Sequence, residues 1–148
     1  MLYKRILVPV DGSNTSNLAL QEALRIAKDQ QAAVRLVHVI DEAVIDGDVE
    51  GILNYAALCD ALKQGGTQLL AKVAKTAQQA GIEVETVLLE TMGERAAHAI
   101  TEEAKSWQAD LLVMGTHGRH GLDRLFMGSV SEGVARLAPV PLLLVRSE

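Results

Sequence analysis

A doubly wound α/β fold built on a five-stranded parallel sheet is what this sequence predicts, and three observations carry the prediction. Short apolar runs alternate from end to end with longer stretches in which apolar residues recur at helical spacing. The runs Ile6-Leu7-Val8 and Leu111-Leu112-Val113-Met114 contain no polar residue, as expected of strands covered on both faces. The run Ile82-Glu83-Val84-Glu85 alternates apolar with charged, and the last run opens on Val140-Pro141, where proline removes a ladder hydrogen bond; both belong at edges. Right-handed crossovers then give the strand order 3-2-1-4-5, with helices on both faces. A chain of 148 residues is the size of one domain, read here as 1–148.

Taken in order, residues 4 to 10 read as the first strand, stopped by Pro9 and the turn Asp11-Gly12-Ser13. Ser13 or Asn14 caps a helix whose stripe is Leu20, Ala23, Leu24 and Ala27. Ala33 to Ile40, rich in valine, is the second strand, and a polar, acidic stretch follows from Asp41 to Gly51. A long helix then carries Leu58, Ala61, Leu62, Leu70, Val73, Ala74 and Ala77. Gly65-Gly66 interrupts it at a cost of about 1 kcal/mol per glycine relative to alanine, which leaves room for a kink or break. Gly81 ends that helix, and Ile82 to Glu85 begin the third strand. Ala97, Ile100, Ala104 and Trp107 form the next helical stripe, and Leu111 to Met114 the fourth strand. A glycine-rich connection from Gly115 to Gly128 leads to a helix with Val130, Val134 and Leu137, and Val140 to Val145 close the Rossmann-like sheet.

Composition narrows the partners. With 49% hydrophobic residues, 22% charged and 3% aromatic, the core is aliphatic, and one Trp, two Tyr and one Phe make no stacking platform for single-stranded nucleic acid. A net charge of -5 gives no general attraction for nucleic acid or anionic lipid, so neither partner is expected and an anionic ligand must be held by local geometry. The lone Cys59 forms no internal disulfide, and no Cys/His spacing resembles a structural zinc site. No signal-peptide core opens the chain, and no apolar run approaches the ~20 residues of a spanning helix. The expectation is a cytoplasmic protein without membrane insertion.

In sheets of this kind ligands bind outside the carboxyl ends of the strands at the topological switch point, here Asp11-Gly12-Ser13 and the loop from Gly115. Gly115, Gly118, Gly121 and Gly128 let that loop take positive φ and approach a ligand closely. Gly128-Ser129 delivers the chain to a helix N-terminus, where free N–H groups and the dipole favour an anion such as phosphate. Neither Gly-x-Gly-x-x-Gly nor the Gly-Lys of a Walker loop is present. What stands is Gly115-x2-Gly118-x9-Gly128-Ser129.

With that pattern the chain resembles the universal stress protein family, in the branch that binds ATP through G-x2-G-x9-G-[S/T]. Ile6-Leu7-Val8-Pro9-Val10-Asp11-Gly12-Ser13 resembles the family's opening strand and turn, and Leu112-Val113-Met114-Gly115-Thr116-His117-Gly118-Arg119 its fourth strand and loop. Ala138 to Arg146 is similar to its close, so the resemblance spans all five strands and four helices. It implies that Gly115, Gly118 and Gly128 shape a phosphate loop, and that Ser129 and groups of Val130 and Ser131 contact phosphate oxygens. It implies that Val39 offers its backbone to the adenine edge. Asp11 matches the family's acidic residue; as an acid it belongs towards adenine or ribose, or reaches phosphate only through a cation. Pro9, Val10, Met114, His117 and Arg119 complete the candidate cofactor site, and no catalytic or metal residue is assigned. The implied ligand is ATP, with ADP or AMP as alternatives, together with Mg2+. The implied role is a nucleotide-dependent regulatory module of the stress response. Family members commonly form homodimers through the last strand, here 140–146, with tetramers as an open option. Leu142-Leu143-Leu144-Val145 is, independently, too apolar for an uncovered edge.

Simpler readings stand beside these. Ser129-x-x-Glu132 is also a capping box, which explains the serine without a ligand. His117, His120 and Asp123 suggest a metal site only weakly, because a glycine loop holds ligand geometry poorly. Arg119 and Arg124 either reach a phosphate or are solvated. His38 and His98 read as structural, Glu102-Glu103 as an exposed helix face, and Cys59 as a thiol without an activating partner. Adenylyl transferases and ATP pyrophosphatases of related folds carry His-x-Gly-His or Ser-Gly-Gly-x-Asp-Ser after strand one, where this chain has Asp11-Gly12-Ser13-Asn14. Slow ATP hydrolysis is the enzymatic alternative, and partner binding around AMP or a vestigial site the third reading.

Overall fold

The computed structural model describes residues 2–44, 54–116 and 128–146. Its elements are β1 (Arg5–Pro9), α1 (Asn14–Gln30), β2 (Ala33–Asp41), α2 (Tyr55–Gln79), β3 (Val84–Thr91), α3 (Ala96–Trp107), β4 (Leu111–Gly115), α4 (Ser129–Leu137) and β5 (Leu142–Val145). A 3-10 turn, Glu42–Val44, follows β2. The strands are parallel and ordered β3-β2-β1-β4-β5, as the sequence predicts. Alternation along each strand sends Ile6, Val8, Val34 and Leu36 into one core with the stripes of α1 and α2. Leu7, Val37 and Leu112 enter a second core with α3 and α4. β5 starts at Leu142 rather than Val140, although the Pro141 carbonyl still accepts from Leu112 N–H at 3.0 Å.

Ser13, not Asn14, caps α1: its Oγ accepts from Ser16 N–H at 3.2 Å. The C-termini of α1 and α3 use Gln31 (φ 55°) and Gln108 (φ 59°) in the left-handed region, where glycine is the usual choice. Gly81 (φ 80°) follows the end of α2 as expected. The pair Glu102-Glu103 divides. Glu102 is exposed, whereas the Glu103 side chain is 13% exposed and turns to Arg35 at 3.5 Å, because Arg35 is also held 4.7 Å over the Trp107 ring and 3.0 Å from Glu85.

Gly65-Gly66 does not break α2, which runs unbroken from Tyr55 to Gln79. Gly66 is buried there, and a Cβ on it would lie 2.6 Å from Leu88 Cδ1 and 3.0 Å from His38 Cδ2. Gly65 faces open space. The two adjacent glycines should therefore respond with opposite sign. Gly65→Ala is expected to stabilise by about 1 kcal/mol through helix propensity. Gly66→Leu is expected to destabilise by about 1–3 kcal/mol through overpacking against β2 and β3. Urea unfolding of both variants checks this; a shift of the same sign in both would refute the packing assignment.

Candidate functional site

At the switch point the ladder between β1 and β4 stops at one residue. In β1 the odd positions face β4, and the ladder between them consists of Ile6 with Leu111 and Leu7 with Leu112. The next rung needs an N–H at position 9 to reach the Val113 carbonyl, and Pro9 has none. Pairing of β1 with β4 ends there, two residues before Asp11.

On the other side of β1 the ladder to β2 runs one step further. Odd residues of β2 face β1: Ala33 N–H donates to Lys4 O, and Val10 N–H donates to Val37 O at 2.8 Å. By that alternation the N–H and C=O of Val39 also point toward the β1 side, beyond the last rung, Pro9 with Val37. The Val10 carbonyl, next in line, is taken instead by His38 Nδ1 at 2.7 Å. A carbonyl only accepts, so Nδ1 carries the proton. The peptide groups of Val39 therefore face the crevice without a ladder partner among the described residues.

Asp11 heads a tight turn. Its Oδ1 accepts from Ser13 N–H at 2.8 Å, its own N–H donates to Ser16 Oγ at 3.1 Å, and Gly12 between them has φ 83°, a conformation that favours glycine. The acid is half-buried at the mouth of the crevice. Val10 turns inward, with its N–H and C=O both committed and its side chain in the core, and so offers a ligand no polar group. Met114 is buried in the second core. Gly115 packs on α1, where a Cβ would lie 2.9 Å from the Thr15 carbonyl carbon and Cβ. Close approach of helix to strand is thus sufficient reason for that glycine.

The far wall is the start of α4. Gly128 N–H donates to Thr116 O at 2.7 Å, which ties the end of β4 to the residue before the helix. Gly128 is the N-cap and its carbonyl accepts from Glu132 N–H at 3.0 Å. Ser129 is therefore the first helical residue and not a cap, and Glu132 pairs with Arg136 at 3.0 Å, so the capping box is not formed. Ser129 and Val130 are exposed, and their side chains and amides have no partner among the described residues. Ser131 differs. It is 2% exposed, and its hydroxyl lies 2.7 Å from Thr116 O and 3.0 Å from Gly128 O, so its proton serves the protein and not a phosphate.

His117, Gly118, Arg119, His120, Gly121, Asp123 and Arg124 lie outside the described residues. Of the remaining candidates, Pro9, Asp11, Val39 and Gly115 lie at or just beyond the carboxyl ends of β1, β2 and β4, and Gly128, Ser129 and Val130 at the start of α4, whereas Val10, Met114 and the Ser131 hydroxyl are committed to the protein interior. His38, read from the sequence as structural, makes a structural contact: its Nδ1 lies 2.7 Å from the Val10 carbonyl, next to the Val39 peptide. Cys59 is buried, and burial, with the Glu42 carboxylate 3.4 Å from Sγ, pushes its thiol above the ordinary pKa, so it is not an activated nucleophile. Among the described residues no helix is long and apolar enough to cross a membrane.

The fold and its switch point define the class: a doubly wound α/β protein with a helix N-terminus, and strand-end peptide groups that have no partner among the described residues, at the switch point. Within that class the chain belongs to the universal stress protein family, whose model matches residues 2–146. It is 39% identical over 146 residues to Universal stress protein MJ0531 of Methanocaldococcus jannaschii, covering 98% of this chain and 83% of that one. The structure of MJ0577, solved as a structure-based assignment of biochemical function, superposes with a TM-score of 0.86 at 28% identity, covering 100% of this chain and 99% of that one. A universal stress protein solved in complex with cAMP superposes with a TM-score of 0.67 at 25% identity, each chain covered in full at 100%.

Proposed function

We propose that residues 1–148 form one universal stress protein domain that binds ATP at the switch point, with Mg2+, and acts as a regulatory module in the stress response. The observation that carries this reading is a pair of backbone edges, at the end of β2 and the start of α4, that have no partner among the described residues. The amides of Ser129 and Val130 at the start of α4 suit phosphate, and the peptide of Val39 suits the edge of a base. Both are backbone groups, so the net charge of -5 does not prevent anion binding there. The cAMP complex of a related fold supports an adenine nucleotide as the ligand class. Asp11 lies on the base and ribose side, reaching phosphate only through the cation. We further propose that two copies pair along β5, a sheet edge whose Leu142 to Val145 are only half-buried.

Titration calorimetry with Mg-ATP tests the site. Wild-type protein is expected to bind saturably, and Ser129→Glu to lose at least tenfold in affinity by repelling phosphate. The same substitution leaves the melting temperature unchanged or raises it, because an acid in the first turn complements the helix dipole. Equal affinity in wild type and variant would remove α4 from the site, and absence of saturable binding by the wild type would overturn the ATP reading.

A further inference from the structure

The Val39 peptide can meet a base only if it is not already used within the sheet, and the register shows what keeps it unused. Parallel pairing of β1 with β2 would continue by Val39 N–H donating to Val10 O, the acceptor next in line after Val10 N–H has bonded Val37 O at 2.8 Å. That rung is not formed. The Val10 carbonyl is held by His38 Nδ1 at 2.7 Å, a shorter contact than the rung before it. The imidazole sits beneath α2 at Gly66, whose missing side chain leaves space for the ring: a Cβ there would come within 3.0 Å of His38 Cδ2. Gly66, buried in the middle of a helix at a cost in helix propensity, leaves room there for the His38 ring and for Leu88, whose Cδ1 would lie 2.6 Å from the same Cβ.

We propose that His38 is a positioning residue for base recognition: by occupying the Val10 carbonyl it withholds that acceptor from Val39, whose N–H and C=O are left as a donor-acceptor pair for a 6-aminopurine. This rests on the nucleotide reading above. A 6-aminopurine presents an acceptor at N1 beside a donor at the exocyclic amine, which the N–H and C=O of one residue match. A 6-oxopurine presents the reverse order and leaves both peptide groups facing like partners, at the cost of unsatisfied buried groups. Without a donor at position 38, the Val10 carbonyl becomes available and the β1/β2 ladder closes by one rung, consuming the Val39 N–H.

Two measurements on the full chain test the proposal. Calorimetric affinities for ATP and for inosine triphosphate give the discrimination ratio, and amide hydrogen exchange by NMR in the free protein reports whether Val39 N–H is bonded. Wild type is expected to prefer ATP at least tenfold and to exchange rapidly at Val39. His38→Leu is expected to bring the ratio near one and slow the exchange, whereas His38→Asn, which keeps an N–H donor in the place of Nδ1, retains most of both. Gly66→Ala, whose Cβ would crowd the ring at 3.0 Å as well as Leu88 Cδ1 at 2.6 Å while leaving the histidine in place, is expected to lower the ratio in the same direction and serves should His38→Leu not fold. A Val39 amide already protected in the wild type, or a ratio unchanged in His38→Leu, overturns the role of His38. Wild-type protein that binds neither nucleotide overturns the nucleotide reading itself, and base recognition with it.

Discussion

Gly133→Val is expected to destabilise the protein by about 3 kcal/mol, read as a melting temperature roughly 6–12 °C lower. Gly133 lies in α4 where that helix crosses α3, and a Cβ built on it would stand 2.6 Å from the Ala97 Cβ. Both atoms would be fixed to helix backbone, so neither can swing aside, and the helices must part. Their separation loosens Val134 and Ile100, which are fully or almost fully buried in the same core. Helix propensity alone predicts the opposite sign, since glycine is the poorer helix former by about 0.5 kcal/mol or less against valine. Ala97→Gly in the same chain removes the opposing atom. The double variant should therefore recover part of the loss despite adding another helical glycine. Strictly additive effects, or a Gly133→Val chain as stable as the wild type, would show that the close crossing carries no weight.

The second expected result concerns two serines that the family resemblance treats alike. Ser131→Ala should lose about 1–2 kcal/mol of stability, because the buried Thr116 carbonyl then loses the hydroxyl donor that holds it at 2.7 Å, and the part-buried Gly128 carbonyl loses the same donor at 3.0 Å. Ser129→Ala should stay within about 0.5 kcal/mol of wild type, as an exposed residue with no partner among the described residues. On the ligand side the two converge. If the proposed site holds ATP, Ser129→Ala is expected to weaken binding by removing a contact, and Ser131→Ala by releasing the start of α4 from the end of β4. Chemical denaturation paired with calorimetry separates these routes. Equal stability losses in both variants, or none in Ser131→Ala, would undo the division of roles.

Much of the architecture was legible because it depends on local chemistry that repeats along the chain. The apolar runs at Ile6-Leu7-Val8 and Leu111 to Met114 proclaim strands covered on both faces, and Val140-Pro141 and the charged third strand mark edges, from which the order follows. Helix ends were less legible where Gln31 and Gln108 take a conformation that glycine usually announces. The candidate site was legible in outline, as the turn at Asp11 and the Gly128-Ser129 helix start. Its inner division was not. Ser129 and Ser131 are two residues apart on one helix, about 200° around its axis, so one meets solvent and the other meets Thr116.

Strand order, the switch point and the family were thus decided along the chain itself, because periodicity, proline and turn chemistry act between near neighbours and survive in the one-dimensional record. Which groups remain available at the crevice was decided only in three dimensions. Pro9 ends a ladder whose other half comes from Val113, His38 takes a carbonyl from Val10, and Gly66 and Gly133 are small because Leu88, His38 and Ala97 arrive from distant segments. A hydrogen-bond acceptor or a space can be claimed once, and the claimant is chosen by packing between elements that the order of residues does not bring together.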